Sequence, residues 1–228
     1  MHGQQNEGPH PSYLTFVEQL PVSGVSIAVF DVDGRQSTVW ASDPTAARLE
    51  ELQFDLGEGP HWQALRSAQP VIVSDARSEF HEEWPLFGAA MTELKVGAIF
   101  SFPMLLGAVT VGVVDLYRTL PGVLSQRDYV LAIALCGRVA KHAVFDAVRG
   151  ASRNGVDEFG GAPAMRREVH QATGVVLVQL GVSATEAFFI LRAYAYSNGF
   201  TVLSTAQEVL AGRLDFGDLP GDAAAASR

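Results

Sequence analysis

Apolar positions along the chain switch period several times, and each switch predicts an element. Tyr13–Leu20 carries the spacing of a short amphipathic helix. Val25–Val32 (VSIAVFDV) reads as a strand, Asp33-Gly34 as the turn after it, and Ser37–Ala41 as the return strand. Helical spacing resumes over Asp43–Leu52, with Asp43 as cap and Pro44 in the first turn. Gly57-Glu58-Gly59-Pro60 interrupts it, and a helix restarts through Trp62, Leu65 and Arg66. Pro70–Ser74 is a short strand, and Asp75–Lys95 has no period and is expected to be irregular. Ala98–Met104 and Ala108–Leu116 form two buried strands turning at Leu106-Gly107. A long helix opens at Ser125, with Asp128 completing a capping box, and runs past residue 145. Its apolar positions are Val130, Ile133, Ala134, Gly137, Val139, Ala140, Val144 and Val148.

Three further helices follow. Ala164–Leu180 places Met165, Val169, Ala172, Val176 and Leu180 on one stripe and stops at Gly181. Ser183 and Glu186 form a second capping box, opening Ala184–Ser197 with Ala187, Phe188, Leu191 and Ala195 inward. Thr201–Ala211, with Val202, Ala206, Val209 and Leu210 apolar, ends at Gly212. The order predicts an α+β first domain, a mostly antiparallel sheet with flanking helices, followed by a small all-α three-helix bundle. The expected boundaries are a leader over 1–11, the first domain with its long helix over 12–149, a linker over 150–163, the three-helix domain over 164–216, and a tail over 217–228. The linker reading rests on four glycines and a proline between Gly150 and Pro163. The leader has no basic start and no apolar run, so it is expected to be disordered rather than a signal peptide.

Charge follows the same partition. Of a net −9 over 228 residues, residues 1–145 carry −7, whereas residues 163–216 are neutral. This excludes nucleic-acid binding through a general positive field but leaves a local surface open. The 19 uncharged residues Val96–Val114 are long enough to cross a bilayer, but Pro103, Gly107 and the β-branched and aromatic content fit the strand pair instead. One cysteine, Cys136, permits neither an intrachain disulfide nor a cysteine zinc site, and with it a cytoplasmic location is expected.

Two resemblances carry the functional reading. Gln171-Ala172-Thr173-Gly174, Ser183, Glu186-Ala187-Phe188, Leu191-Arg192-Ala193-Tyr194-Ala195 and Ala206 resemble the ANTAR domain of transcription antiterminators over residues 163–216. Thr173 stands where that family often has Lys, and Val178 where it often has Met. Gly57-Glu58-Gly59-Pro60, Pro70–Asp75, Trp84-Pro85-Leu86-Phe87 and Gly112–Tyr117 resemble a GAF domain over residues 12–145. Together they resemble regulators of the actinobacterial GAF–ANTAR type. The resemblance implies a sensor domain joined to a domain that binds RNA hairpins in nascent transcripts and prevents a terminator from forming.

A GAF pocket would lie between the sheet and Asp75–Lys95. Candidates to line it are Phe54, His61, Trp62, Phe80, Trp84, Phe87, Met91 and Asp115; the aromatics either line a pocket or fill core. Nothing in the sequence names a ligand or cofactor. On the RNA side, Arg166, Arg167, His170, Gln171 and Thr173 cluster on the first ANTAR helix, and Arg192, Tyr194, Tyr196, Ser197 and Asn198 on or after the second. Aromatic and guanidinium planes stack on unpaired loop bases, and amides read base edges, so such a set suits hairpin loops without a basic surplus. Tyr194 and the Arg pair also fit core packing and an exposed helix start. No enzyme is expected: Cys136 lies among apolar positions, His81-Glu82-Glu83 lacks a histidine at metal-ligand spacing, and neither a phosphate loop nor a nucleophile elbow occurs. The expected partners are RNA hairpins, a small-molecule ligand of the sensor and a second copy of the chain, with no membrane. The competing reading is a ligand- or protein-binding sensor and dimerisation module without RNA binding.

Overall fold

The computed structural model describes residues 11–30, 36–78, 83–152 and 162–219. Its contacts divide the chain into two compact units, 1–156 and 157–228.

The first unit runs α1 (Pro11–Gln19), β1 (Gly24–Phe30), β2 (Gln36–Ala41), α2 (Pro44–Leu56), α3 (Pro60–Ser67), β3 (Val71–Val73), α4 (Pro85–Met91), β4 (Ala98–Leu106), β5 (Val109–Arg118) and α5 (Gln126–Ser152). The strands form one sheet in the order β2-β1-β5-β4-β3, every neighbouring pair antiparallel. Alternation along the strands gives the sheet two unlike faces. One carries Val25, Ile27, Val29, Phe100, Phe102, Val114 and Leu116, covered by α1 and α5 in a wholly apolar core. The other carries Ser26, Ser101 and Asp115 in one cross-strand row, under α2 and α3. The β4–β5 hairpin turns at Gly107, whose φ of 64° suits glycine at the first turn position.

Two expectations change here. Asp75–Lys95 is not irregular throughout: it holds α4, whose first-turn amides of Leu86 and Phe87 donate to Glu58 Oε2 (2.9 and 3.2 Å). The long helix also has two apolar stripes rather than one. Ala132, Leu135, Cys136, Val139, Ala140 and Ala143 face the sheet, whereas Val130, Ile133, Ala134 and Gly137 point outward. β1 ends at Phe30, and the Asp33-Gly34 turn lies outside the described residues.

The second unit comprises α6 (Ala162–Leu180), α7 (Ala184–Ser197) and α8 (Val202–Leu210). The chain bends by 105° between α6 and α7. Val169, Ala172, Val176, Ala187, Leu191, Ala195, Val202, Ala206 and Val209 are buried among the three helices. Ser183 and Glu186 form the anticipated capping box on α7, and Thr201 caps α8 through Ser204 N.

Candidate functional site

In the first unit, polar side chains converge beneath α2 and α3. Asp43 accepts from Thr45 N and Ala46 N at the start of α2, Gly57 closes the helix at φ 66°, and Glu50 and Gln53 then fall one turn apart facing the sheet. α3 starts after Gly59 (φ 119°), which puts His61 in its first turn. His61 Nδ1 lies 2.6 Å from Asp115 Oδ2, and Ser101 Oγ donates to Asp115 Oδ1. Gln53 joins helix and site: its Oε1 accepts from His61 N (2.9 Å), its Nε2 reaches Asp115 (3.4 Å), and its carbonyl accepts from Trp62 Nε1 (2.6 Å). Gln36 Nε2 donates to Glu50 Oε1. Each of Ser26, Gln36, Thr38, Glu50, Gln53, His61, Ser101 and Asp115 is at most 3% exposed. Burying that many polar groups is costly unless each finds partners, so the layer is a built feature of the domain.

Of the pocket candidates, the structure brings His61, Trp62 and Asp115 together; the Trp62 ring stands edge-on to His61 at 5.5 Å. Trp84, Phe87 and Met91 are instead packed with Ala46, Leu49, Val73, Ile99 and Tyr117 between α2, α4 and the sheet. Their helical spacing along α4 turns all three toward the same core. Among them, Met91 also borders a cleft of about 280 Å³ formed with Ala76, Arg77, Gly88, Thr92, Leu94 and Val96. Phe54 is buried and Phe80 lies outside the described residues. Gln36, Glu50 and Gln53 escaped the sequence reading, although two polar residues three apart on the inner face of α2 were a legible sign. Burial pushes the Cys136 thiol far above its ordinary range, which disfavours the thiolate form.

In the second unit, Gln171 and Tyr196 are exposed, the latter by 56%. Asn198 is exposed and caps α7, its Nδ2 donating to Tyr194 O (2.8 Å). His170 is half-buried, and the side chains of Arg166 and Arg167 lie outside the described residues. Thr173 does not belong to a surface set: it is 8% exposed and its hydroxyl donates to Val169 O (2.8 Å), as small hydroxyl side chains do inside helices. Arg192 does not extend into solvent; its guanidinium lies over the Phe188 ring at 4.6 Å and near Phe189 at 5.8 Å. Tyr194 packs edge-on against Phe216 (5.3 Å). The residues missed are Phe189 and Phe200, exposed by 58% and 56%. Phe189 lies seven residues before Tyr196, on the same outward stripe of α7.

A five-stranded antiparallel sheet with helices packed on both faces, followed by a separate three-helix unit, is a two-domain architecture of α+β and all-α parts. The family comparison agrees. A GAF domain model matches residues 14–141 and an ANTAR domain model matches residues 159–210. The chain belongs to the GAF family and carries a second, ANTAR domain, the domain type of RNA-binding antitermination regulators. Both domains are regulatory rather than catalytic types. No curated protein matches the chain significantly. Among solved structures, it is similar to the GAF domain of a phosphoenolpyruvate-protein phosphotransferase from Coxiella burnetii (17% identity, 64% of this chain and 89% of that one, TM-score 0.49). It is also similar to a domain of a putative two-component sensor histidine kinase from Sinorhizobium meliloti 1021 (16% identity, 63% and 93%, TM-score 0.48). Among the described residues, no single helix is long and apolar enough to cross a membrane.

Proposed function

We propose that the chain is a signal-responsive, cytoplasmic transcription antiterminator. Its GAF domain senses a small molecule, and its ANTAR domain, acting in a dimer, binds the loops of RNA hairpins in nascent transcripts. The observation carrying the RNA reading is the outward face of α7. Phe189 and Tyr196 are more than half exposed, and the Arg192 guanidinium carbon lies 4.6 Å from the Phe188 ring centroid and 5.8 Å from that of Phe189. Such planes suit unstacked loop bases. The 163–216 segment has no net charge, so stacking supplies most of the affinity and phosphate contacts are confined to local arginines.

Filter binding to hairpin-loop RNA tests this. Wild type is expected to bind, and Phe189→Ala, Tyr196→Ala and Arg192→Ala each to weaken binding by about 1–3 kcal/mol, the worth of one stacked base. The melting temperature of the two aromatic variants should not change, because both side chains are exposed. Arg166→Ala/Arg167→Ala should flatten the salt dependence by a slope of roughly 0.7 for each phosphate no longer neutralised. The same exposed aromatics and neutral charge also suit a protein-binding or dimerisation module. Failure of wild type to bind any hairpin, together with self-association abolished in the Phe189 and Tyr196 variants, would establish that reading instead.

A further inference from the structure

A second cleft lies within the ANTAR domain, where the end of α7 meets α8. It encloses about 200 Å³ and is lined by Tyr194, Phe200, Thr205, Glu208, Arg213 and Leu214. Pockets for larger ligands start at about 300 Å³, so this one suits a single ring system. A turn fixes its polar wall. Gly212, at φ 67°, ends α8, and the chain folds back so that Arg213 N and Leu214 N both donate to Glu208 O (2.9 and 3.1 Å). The same turn sets the Arg213 guanidinium against the Glu208 carboxylate, Nε donating to Oε2 (2.7 Å) and Nη2 to Oε1 (2.8 Å). Those bonds hold the Glu208 carboxyl below the usual glutamate range, so it acts as an acceptor only. They use two of the five guanidinium N–H groups and one lone pair on each carboxylate oxygen. Both side chains stay open to solvent, Arg213 by 63% and Glu208 by 47%. The other wall is aromatic. Phe200 sits between Gly199 (φ 69°) and the α8 cap Thr201, its amide anchored on Ala195 O (2.9 Å), yet the residue is 56% exposed. Tyr194 is held in place by its edge-on contact with Phe216.

We propose that this cleft reads a guanine base, with Glu208 as the residue that sets its specificity. Guanine alone among the four RNA bases places two N–H donor groups side by side, N1–H and the 2-amino group, which match a carboxylate. Its O6 lies next to them and accepts from a guanidinium N–H. Adenine and cytosine would turn a ring-nitrogen acceptor toward the carboxylate, and uracil offers a single N–H. Phe200 supplies the face on which the base stacks. A loop base of the RNA and a free guanine nucleotide present this same edge; the first source rests on the RNA half of the proposed function.

The test has two arms, both on the full chain. Calorimetry compares guanosine, inosine and adenosine monophosphates, and filter binding compares hairpins whose loop guanines are kept or replaced by inosine, which lacks the 2-amino group. Guanine is expected to be preferred over inosine at least tenfold. Glu208→Gln should erase that preference and Phe200→Ala should weaken guanine binding at least tenfold, with melting temperatures unchanged because both side chains are largely exposed. A Glu208-dependent preference in the hairpin arm assigns the base to the RNA loop; one confined to the nucleotide arm assigns it to a free guanine nucleotide. Equal binding of guanine and inosine in both arms, or a preference unchanged in both variants, would overturn the proposal. Hairpins bound by wild type with no guanine preference in either arm would overturn this pocket and leave the RNA reading standing. Guanosine monophosphate bound through Glu208 by a chain that binds no hairpin would do the reverse.

Discussion

Asp43 meets four groups at once. Its Oδ1 accepts from Thr45 N (2.8 Å), Ala46 N (3.0 Å) and Tyr117 Oη (3.0 Å), and its Oδ2 accepts from Ser42 Oγ (2.6 Å). One carboxylate thus starts α2 and ties it to the far end of β5, and Gly24 is required beneath it because any Cβ there would collide with Asp43 and Tyr117. Asp43→Ala should cost about 1–2 kcal/mol, measured by urea unfolding, as loss of an N-cap does. Burial, and next the bond to Asp43, raises the Tyr117 pKa above its ordinary 10.0. A raised phenol value means the folded state keeps its proton after the unfolded chain has lost it. The associated stability is therefore complete below pH 10.0 and falls as pH climbs from there through the folded-state value. Urea unfolding should show that alkaline fall in wild type and a flatter profile in Tyr117→Phe. Asp43 was legible as a cap from its place before Pro44, but its bond to Tyr117, 74 residues away, was not.

At the scale of elements, α5 bears an argument about assembly. Its inner stripe is consumed by the sheet, yet Val130 and Ile133 remain 55% and 46% exposed, next to the small residues Ala134 and Gly137. Small residues let another helix approach closely, and exposed β-branched residues gain by being covered. The proposed dimer is expected to use this stripe. Ile133→Asp should shift the chain from dimer to monomer in sedimentation velocity without lowering its helix content, since the residue is nearly half exposed and lies outside the sheet-facing core cluster. A wild type that stays monomeric at tens of micromolar would refute this interface. α4 illustrates the opposite case, an element hidden from sequence reading. It has no side-chain cap of its own and is begun by a glutamate 28 residues upstream, so local signals were silent.

The molecule as a whole consists of two units meeting at residues 156 and 157, inside the glycine-rich stretch that suggested a linker. Limited proteolysis is expected to cut first between Ser152 and Ala162, giving two resistant fragments; early cuts within α6 would count against that division. Within each unit, most element positions are legible in the residues alone, because period, caps and glycine stops are local properties. Ser183 with Glu186, Gly181 and Gly107 each mark a boundary that follows from one residue's own backbone or side chain. Both domain types are legible too, since their motifs lie in short segments. What the chain's order of residues could not decide was which way side chains with two roles would turn. Thr173 faces inward because a hydroxyl can bond its own helix carbonyl, and Trp84, Phe87 and Met91 fill core because α4 packs against α2 and the sheet. The polar layer joins Gln36, Glu50, Gln53, His61, Ser101 and Asp115 from five separate elements. Glu50 and Gln53 share the period of α2, but no local period relates the five elements to one another; strand register and helix packing bring them within bonding distance.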